Sequence, residues 1–190
     1  DLLMHPDFIS TAHSAETKRI AHCTNNCTGY NYEDYEVRTC KGSSAEIDGL
    51  IYYNQQEEPW GSMNVCNDPG WPFRNQGCFV ASIAMAAANL LNDPSITPQV
   101  ANNKVCSGTM PTYALAHNLG VNATLGNLSS AKSTMENGGM VIMQVKSGTF
   151  TSVDHYVVIA KNDGNKLFIL DPYDSGNNGW NSNCTSCSIK

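Results

Sequence analysis

Positive charge is the scarcest ingredient of this chain. Its 190 residues carry 11 Lys and Arg against 17 Asp and Glu, for a net charge of -6. No basic cluster appears anywhere, so neither nucleic acid nor an anionic surface is an expected partner. Long apolar runs are also missing. Hydrophobic residues make up 41% of the chain, yet no stretch approaches a membrane span, so a soluble chain without membrane insertion is expected. No internal repeat and no signal peptide are visible. A start at Asp1 suits a processed form or an excised domain whose leader is already gone. The length suits one domain with an appended segment and is sufficient to bury a core.

Cysteine, by contrast, is plentiful: there are eight. Cys23, Cys27, Cys40, Cys66, Cys106, Cys184 and Cys187 lie in polar, loop-like sequence rich in Asn, Gly and Ser. That usage predicts an oxidising setting, secreted or at the cell surface. If Cys78 is a free thiol, seven remain, and seven cannot all pair within one chain. Cys40, Cys66 and Cys106 are candidates for cross-links tying an N-terminal extension to the core. The close pairs Cys23/Cys27 and Cys184/Cys187 have spacings that suit disulfides or four thiolate ligands to a structural zinc. Disulfides are the expectation in a secreted chain, so no metal and no cofactor are called for. Asn26, Asn122, Asn127 and Asn183 begin Asn-x-Ser/Thr triplets, which matter only if the source glycosylates them.

Residues 1–48 differ from the rest. They are polar, with Ser10 or Thr11 placed to cap a short helix over His13–Ile20. They read as a Cys-containing extension packed on a main domain, or as a linker or pro-segment. Residues 49–190 then form the main domain with a Cys-rich tail. Ile47–Tyr53 suits a strand. Glu57–Asn75, punctuated by Pro and Gly, is a loop whose Trp60, Trp71 and Phe73 either anchor it to the core or line a groove. Gln76–Leu91 is rich in Ala, Leu and Met and apolar on nearly every face, which predicts a buried helix. Thr97-Pro98 starts a second helix ending near Lys104. Thr109-Met110-Pro111 starts a third that Gly120 stops. A fourth covers Ser129–Asn137. Three strands follow, at Met140–Val145, His155–Lys161 and Lys166–Asp171, the last two joined by the turn signal Asn162-Asp163-Gly164-Asn165. Helices followed by strands predict an α+β fold.

Cys78 sits at the first turn of the apolar helix, just after Gly77. A helix N-terminus favours the thiolate of a cysteine placed there, although a buried Cys is more often a packed thiol or half of a disulfide. The downstream hairpin strengthens the nucleophile reading. A three-residue loop puts Lys161 opposite Asn165 and, counting outward, His155 opposite Asp171 on one face. A two-residue turn would shift that pairing by one. Cys78 then acts as nucleophile, His155 as base and later acid, and Asp171 orients the imidazole. Gln55, with the backbone N–H of Cys78, is the expected oxyanion donor. Taken singly, a His at a strand start or an Asp before Pro is usually structural. The order Gln, Cys-helix, His-strand, turn, strand-Asp is far more specific than any part.

In that order the chain resembles the papain-fold cysteine peptidases of the bacteriocin-processing-peptidase-like (double-glycine-peptidase-like) family, best in its secreted clostridial-type branch. The matching pieces are Tyr53-Asn54-Gln55 with Pro59-Trp60, Gly77-Cys78 with Ser82-Ile83-Ala84-Met85, and Thr97-Pro98-Gln99-Val100-Ala101. Gly138-Gly139-Met140-Val141-Ile142, His155-Tyr156-Val157-Val158-Ile159 and Leu170-Asp171-Pro172 follow. The likeness spans roughly residues 50–175. It implies a papain-like fold, with a helical half carrying Cys78 packed on an antiparallel sheet carrying His155 and Asp171, and Gln55 as the oxyanion residue. Two positions depart from the family pattern. Phe79 replaces a Gly after the nucleophile, narrowing the site or changing what binds. Asp154 replaces a Gly before the His, and a carboxylate there raises an imidazole's pKa. The expected activity is a cysteine peptidase acting on peptidoglycan peptides or a secreted polypeptide. The alternative, which Phe79 keeps open, is a catalytically inactive papain-fold binding or assembly module.

Overall fold

A computed structural model describes residues 50–145, 153–163 and 166–173, together with the strand backbones at 2–5, 20–22, 28–32, 35–40 and 45–47. Residues 13–19 of the helix expected at 13–20, the cysteine pairs at 23/27 and 184/187, and the tail beyond 173 lie outside the described residues, while Ile20 opens the strand at 20–22. The fold is α+β.

A single turn, α1 (Phe73–Gln76), leads through Gly77 into α2 (Cys78–Leu91). Every residue of α2 from Val80 to Ala88 is buried, as its all-round apolar surface requires. Ile83 and Met85 are fully enclosed, each contributing about 1.5–3 kcal/mol relative to exposure. The helix ends where Asn92 turns left-handed at φ 50° and its N–H returns to the carbonyls of Ala88 and Asn89. Asn89, a polar interruption in the sequence, holds a strand. Its Oδ1 accepts from Ile51 N–H at 2.7 Å, and its Nδ2 donates to Ile51 O at 2.8 Å and Met85 O at 2.7 Å.

α3 (Pro98–Lys104) begins as expected, with Thr97 Oγ1 accepting from Val100 N–H. The third expected helix starts later and is tighter. Cys106–Ser107 pairs with Met110–Pro111 across Gly108, whose φ of +62° suits a reversal, and a 3-10 helix then runs Tyr113–Leu119 under a Thr112 cap. Met110 and Pro111 are extended in that pairing, so no helix begins at Thr109. Gly120, at φ +87°, stops it. α4 (Leu128–Glu136) opens on a capping box between Asn127 and Ser130.

The main sheet has eight strands: β1 (Leu2–His5), β2 (Ile20–His22), β3 (Thr28–Tyr32), β4 (Tyr35–Cys40), β9 (Ala123–Leu125), β10 (Met140–Val145), β11 (His155–Asp163) and β12 (Lys166–Leu170), in the order β2-β3-β4-β12-β11-β10-β1-β9. The three strands read from the sequence, β10 to β12, pair antiparallel at its centre. On either side the pairing turns parallel, β1 with β10 and β4 with β12. β5 (Ala45–Ile47) and β6 (Leu50–Tyr52) form a hairpin where one strand was expected, with Ile47 opposite Leu50. The Asp48-Gly49 between them is a hairpin-favouring pair. β7 (Cys106–Ser107) and β8 (Met110–Pro111) complete the strands. α2 packs on β10, β11 and α3, so the core lies between the helices and the sheet centre. Trp60 and Phe73 are buried in it, anchoring the 57–75 loop, while Trp71 packs against its edge.

Candidate active site

The start of α2 is shaped by contact. A Cβ at Gly77 would collide with the ring of Phe73, which is itself fully buried, so only glycine lets the chain turn from α1 into α2 here. Cys78 follows as the first helical residue. Its N–H therefore has no acceptor within the helix. Its thiol is free and half-exposed, whereas Cys66 and Cys106 are joined in a disulfide. That bond spans 40 residues and staples the loop before α1 to the end of α3; it does not tie the N-terminal segment to the core.

His155 and Asp171 meet. Nε2 of His155 lies 2.7 Å from Oδ1 of Asp171, with His155 nearly buried and Asp171 fully so. The hairpin reaches this contact by a different register from the three-residue-loop expectation. Near the turn Asp163 opposes Lys166 and Lys161 opposes Phe168, but beyond it Ile159 opposes Ile169 and Val158 opposes Leu170. Ala160 is thus an extra residue, a bulge. Carried unbroken from the turn, the register would set Asp171 opposite Val158 and leave His155 on the other face. With the bulge, Asp171 falls beside Val157 and shares a face with His155 on the diagonal.

Cys78 also acts on the imidazole, through a side-chain hydrogen bond and its charge. Burial pulls the His155 pKa down. The charge of Asp171 and its hydrogen bond, then the hydrogen bond and charge of Cys78, outweigh burial and raise it from 6.5 to about 9. The imidazole is a cation at neutral pH, held between a carboxylate and a sulfur. The carboxylates expected to act on it were Asp171 and Asp154. Asp171 does so, while Asp154 acts on Tyr156.

Asp171 is fixed from several directions. Its Oδ1 also accepts from Tyr173 N–H at 3.0 Å, and its backbone oxygen accepts from Tyr52 Oη at 2.8 Å. The Tyr173 ring stands edge-on to His155, centroids 6.1 Å apart. Sequence reasoning missed both tyrosines. Their signals were slight: Tyr52 by alternation in a short strand, Tyr173 by its place two residues after Asp171.

Gln55, wholly buried, joins the two halves. Its N–H donates to Pro172 O at 2.7 Å, beside Asp171, and its Nε2 donates to Arg74 O at 3.1 Å, in the turn that delivers Cys78. One proton of the amide nitrogen remains for another acceptor. The ring of Phe79 packs on Tyr156, centroids 4.8 Å apart. Among the described residues no group of three or more His, Cys, Asp or Glu is placed to hold a metal ion. Chemically, the arrangement can supply a sulfur nucleophile and a proton carrier with an ionic anchor. No family model, no curated protein and no solved structure matches the chain.

Proposed function

We propose that this chain is a secreted or cell-surface cysteine peptidase of papain-like fold, akin to the bacteriocin-processing-peptidase-like family, that hydrolyses amide bonds in peptidoglycan peptides or a secreted polypeptide. One observation carries the reading: a free cysteine, Cys78, acts through a side-chain hydrogen bond on an imidazole whose Nε2 is held by a buried carboxylate. Sγ of Cys78 attacks the amide carbonyl, and the C=O electron pair moves onto oxygen. The Gln55 amide and the Cys78 N–H receive that oxyanion. Collapse breaks the C–N bond as His155 gives its proton to the leaving amine. Water then attacks the thioester, His155 takes its proton, and the C–S bond breaks. Asp171 keeps the imidazole oriented throughout. The Cys66–Cys106 disulfide is in keeping with an oxidising location. Phe79 would favour a non-catalytic module if it covered the sulfur, but Cys78 remains half-exposed.

Iodoacetamide labelling with mass-spectrometric mapping tests the centre, and digestion of purified cell walls and a peptide library tests the substrate. Cys78 should react faster than any other cysteine, and His155→Ala should abolish the advantage. Product should form with wild type and not with Cys78→Ser. Labelling indifferent to His155, with no hydrolysis of either substrate, would overturn the reading.

A further inference from the structure

The peptidase reading leaves a second cluster beside Cys78 unused. Phe79 follows the nucleophile on α2, and Tyr156 follows His155 on β11. Both are half-exposed and their rings are tilted at 48° to one another. The Tyr156 phenol is held above its ordinary range by burial, then by the charges of Cys78 and Asp154, so it stands in the field of both. Asp154 is exposed, and among the described residues no ion pair engages it. Arg74, the basic residue whose carbonyl holds Gln55, has its guanidinium on Glu58 at 2.7 Å and on Gly61 O. Two aromatic rings in contact thus follow Cys78 and His155 in sequence, and the charges of Cys78 and of the exposed Asp154 both reach the Tyr156 phenol.

We propose that Phe79, Tyr156 and Asp154 form a specificity subsite for a cationic side chain, so that the bonds cut lie beside a basic residue of the peptide. The apolar stem of such a side chain lies along the aromatic pair, and its ammonium or guanidinium head reaches Asp154. A purely apolar side chain would cover the carboxylate without answering its charge. An acidic one would meet like charge, on a chain that already carries a net -6. The cutting rests on the peptidase reading; the binding preference does not.

The test uses the whole chain and peptidyl acyloxymethyl ketones, which alkylate a thiol without turnover. Three probes carry Lys, its uncharged isostere norleucine, or Glu next to the reactive carbonyl, and a second set carries them one residue further back. In at least one set Lys should label Cys78 up to about fivefold faster than norleucine, the effect of an exposed ion pair, with Glu slowest. Asp154→Asn should bring the Lys-to-norleucine ratio to about one, which a general loss of structure would not do because it slows both probes. Phe79→Gly should slow Lys and norleucine together. Equal Lys and norleucine rates in wild type, a Lys advantage surviving in Asp154→Asn, or no labelling of Cys78 by any probe would overturn the subsite. Selective labelling without any peptide hydrolysis would keep the subsite and sink the peptidase reading. Hydrolysis blind to charge would do the reverse.

Discussion

Nε2 of His155 reaches Oδ1 of Asp171 at 2.7 Å because Ala160 is inserted as an extra residue between Ile159 and Lys161 of the same strand. Side-chain direction alternates along a strand, so one inserted residue moves everything before it to the opposite face. The bulge thereby puts the imidazole and the carboxylate on one side of the sheet, where the start of α2 can meet them.

The pair sets a pH dependence. The folded pKa of His155 is raised to about 9 from 6.5, so its contribution to stability is complete below 6.5 and is lost as pH rises through about 9. The melting temperature of wild type should therefore fall across that window. In Asp171→Asn the charge that outweighs burial is gone, His155 should titrate lower, and the slope over the same window should vanish. Melting followed by circular dichroism and imidazole titration by NMR read both. Hydrolysis by Asp171→Asn at pH 7 should fall at least about tenfold.

Gln55→Ala separates the oxyanion role from the thiol's reactivity. Amide hydrolysis should drop about 100-fold in kcat, since a lost oxyanion donor costs roughly 3 kcal/mol. Alkylation of Cys78 by iodoacetamide forms no oxyanion, so its rate should hold. Parallel loss of both rates would assign Gln55 a structural role only, through its bond to Arg74 O.

The Cys66–Cys106 disulfide closes a loop of 40 residues in sequence separation, and chain-entropy reasoning gives it about 4 kcal/mol. The double variant Cys66→Ser, Cys106→Ser should lose most of that in urea unfolding. Reducing agent should destabilise wild type by more than the double variant.

Asn89→Leu strips the backbone N–H and C=O of Ile51 of their partners. Two polar groups left unanswered in a part-buried site should cost about 2–3 kcal/mol. Urea midpoints of wild type and variant measure it, and a change below about 0.5 kcal/mol would mean that water replaces the amide.

Much of this was legible because the signals are local. The all-apolar run ending at Asn92, the Thr97-Pro98 cap and the apolar runs of β10 to β12 each state their own structure over a few residues. Elsewhere a local signal misled. Thr109-Met110-Pro111 has the composition of a helix start, but a two-strand pairing with Cys106–Ser107 takes those residues first. Ile47–Tyr53 reads as one strand until Ile47 is seen opposite Leu50. The His155–Asp171 contact was anticipated from a loop length the chain does not use, since Asp163 pairs directly with Lys166 and the bulge then restores the shared face.

By itself, then, the sequence determined where the helix of Cys78 begins, which strands carry the imidazole and the carboxylate, and that Gln55 precedes them. Those are matters of composition, capping and turn chemistry between near neighbours. Only the tertiary structure decided that Ala160 bulges, that Tyr52 and Tyr173 hold Asp171, that Gln55 bridges Pro172 and Arg74, and that Phe79 packs on Tyr156. Each of these depends on surfaces brought together from distant parts of the chain, and packing between such surfaces leaves no periodic mark in either segment alone.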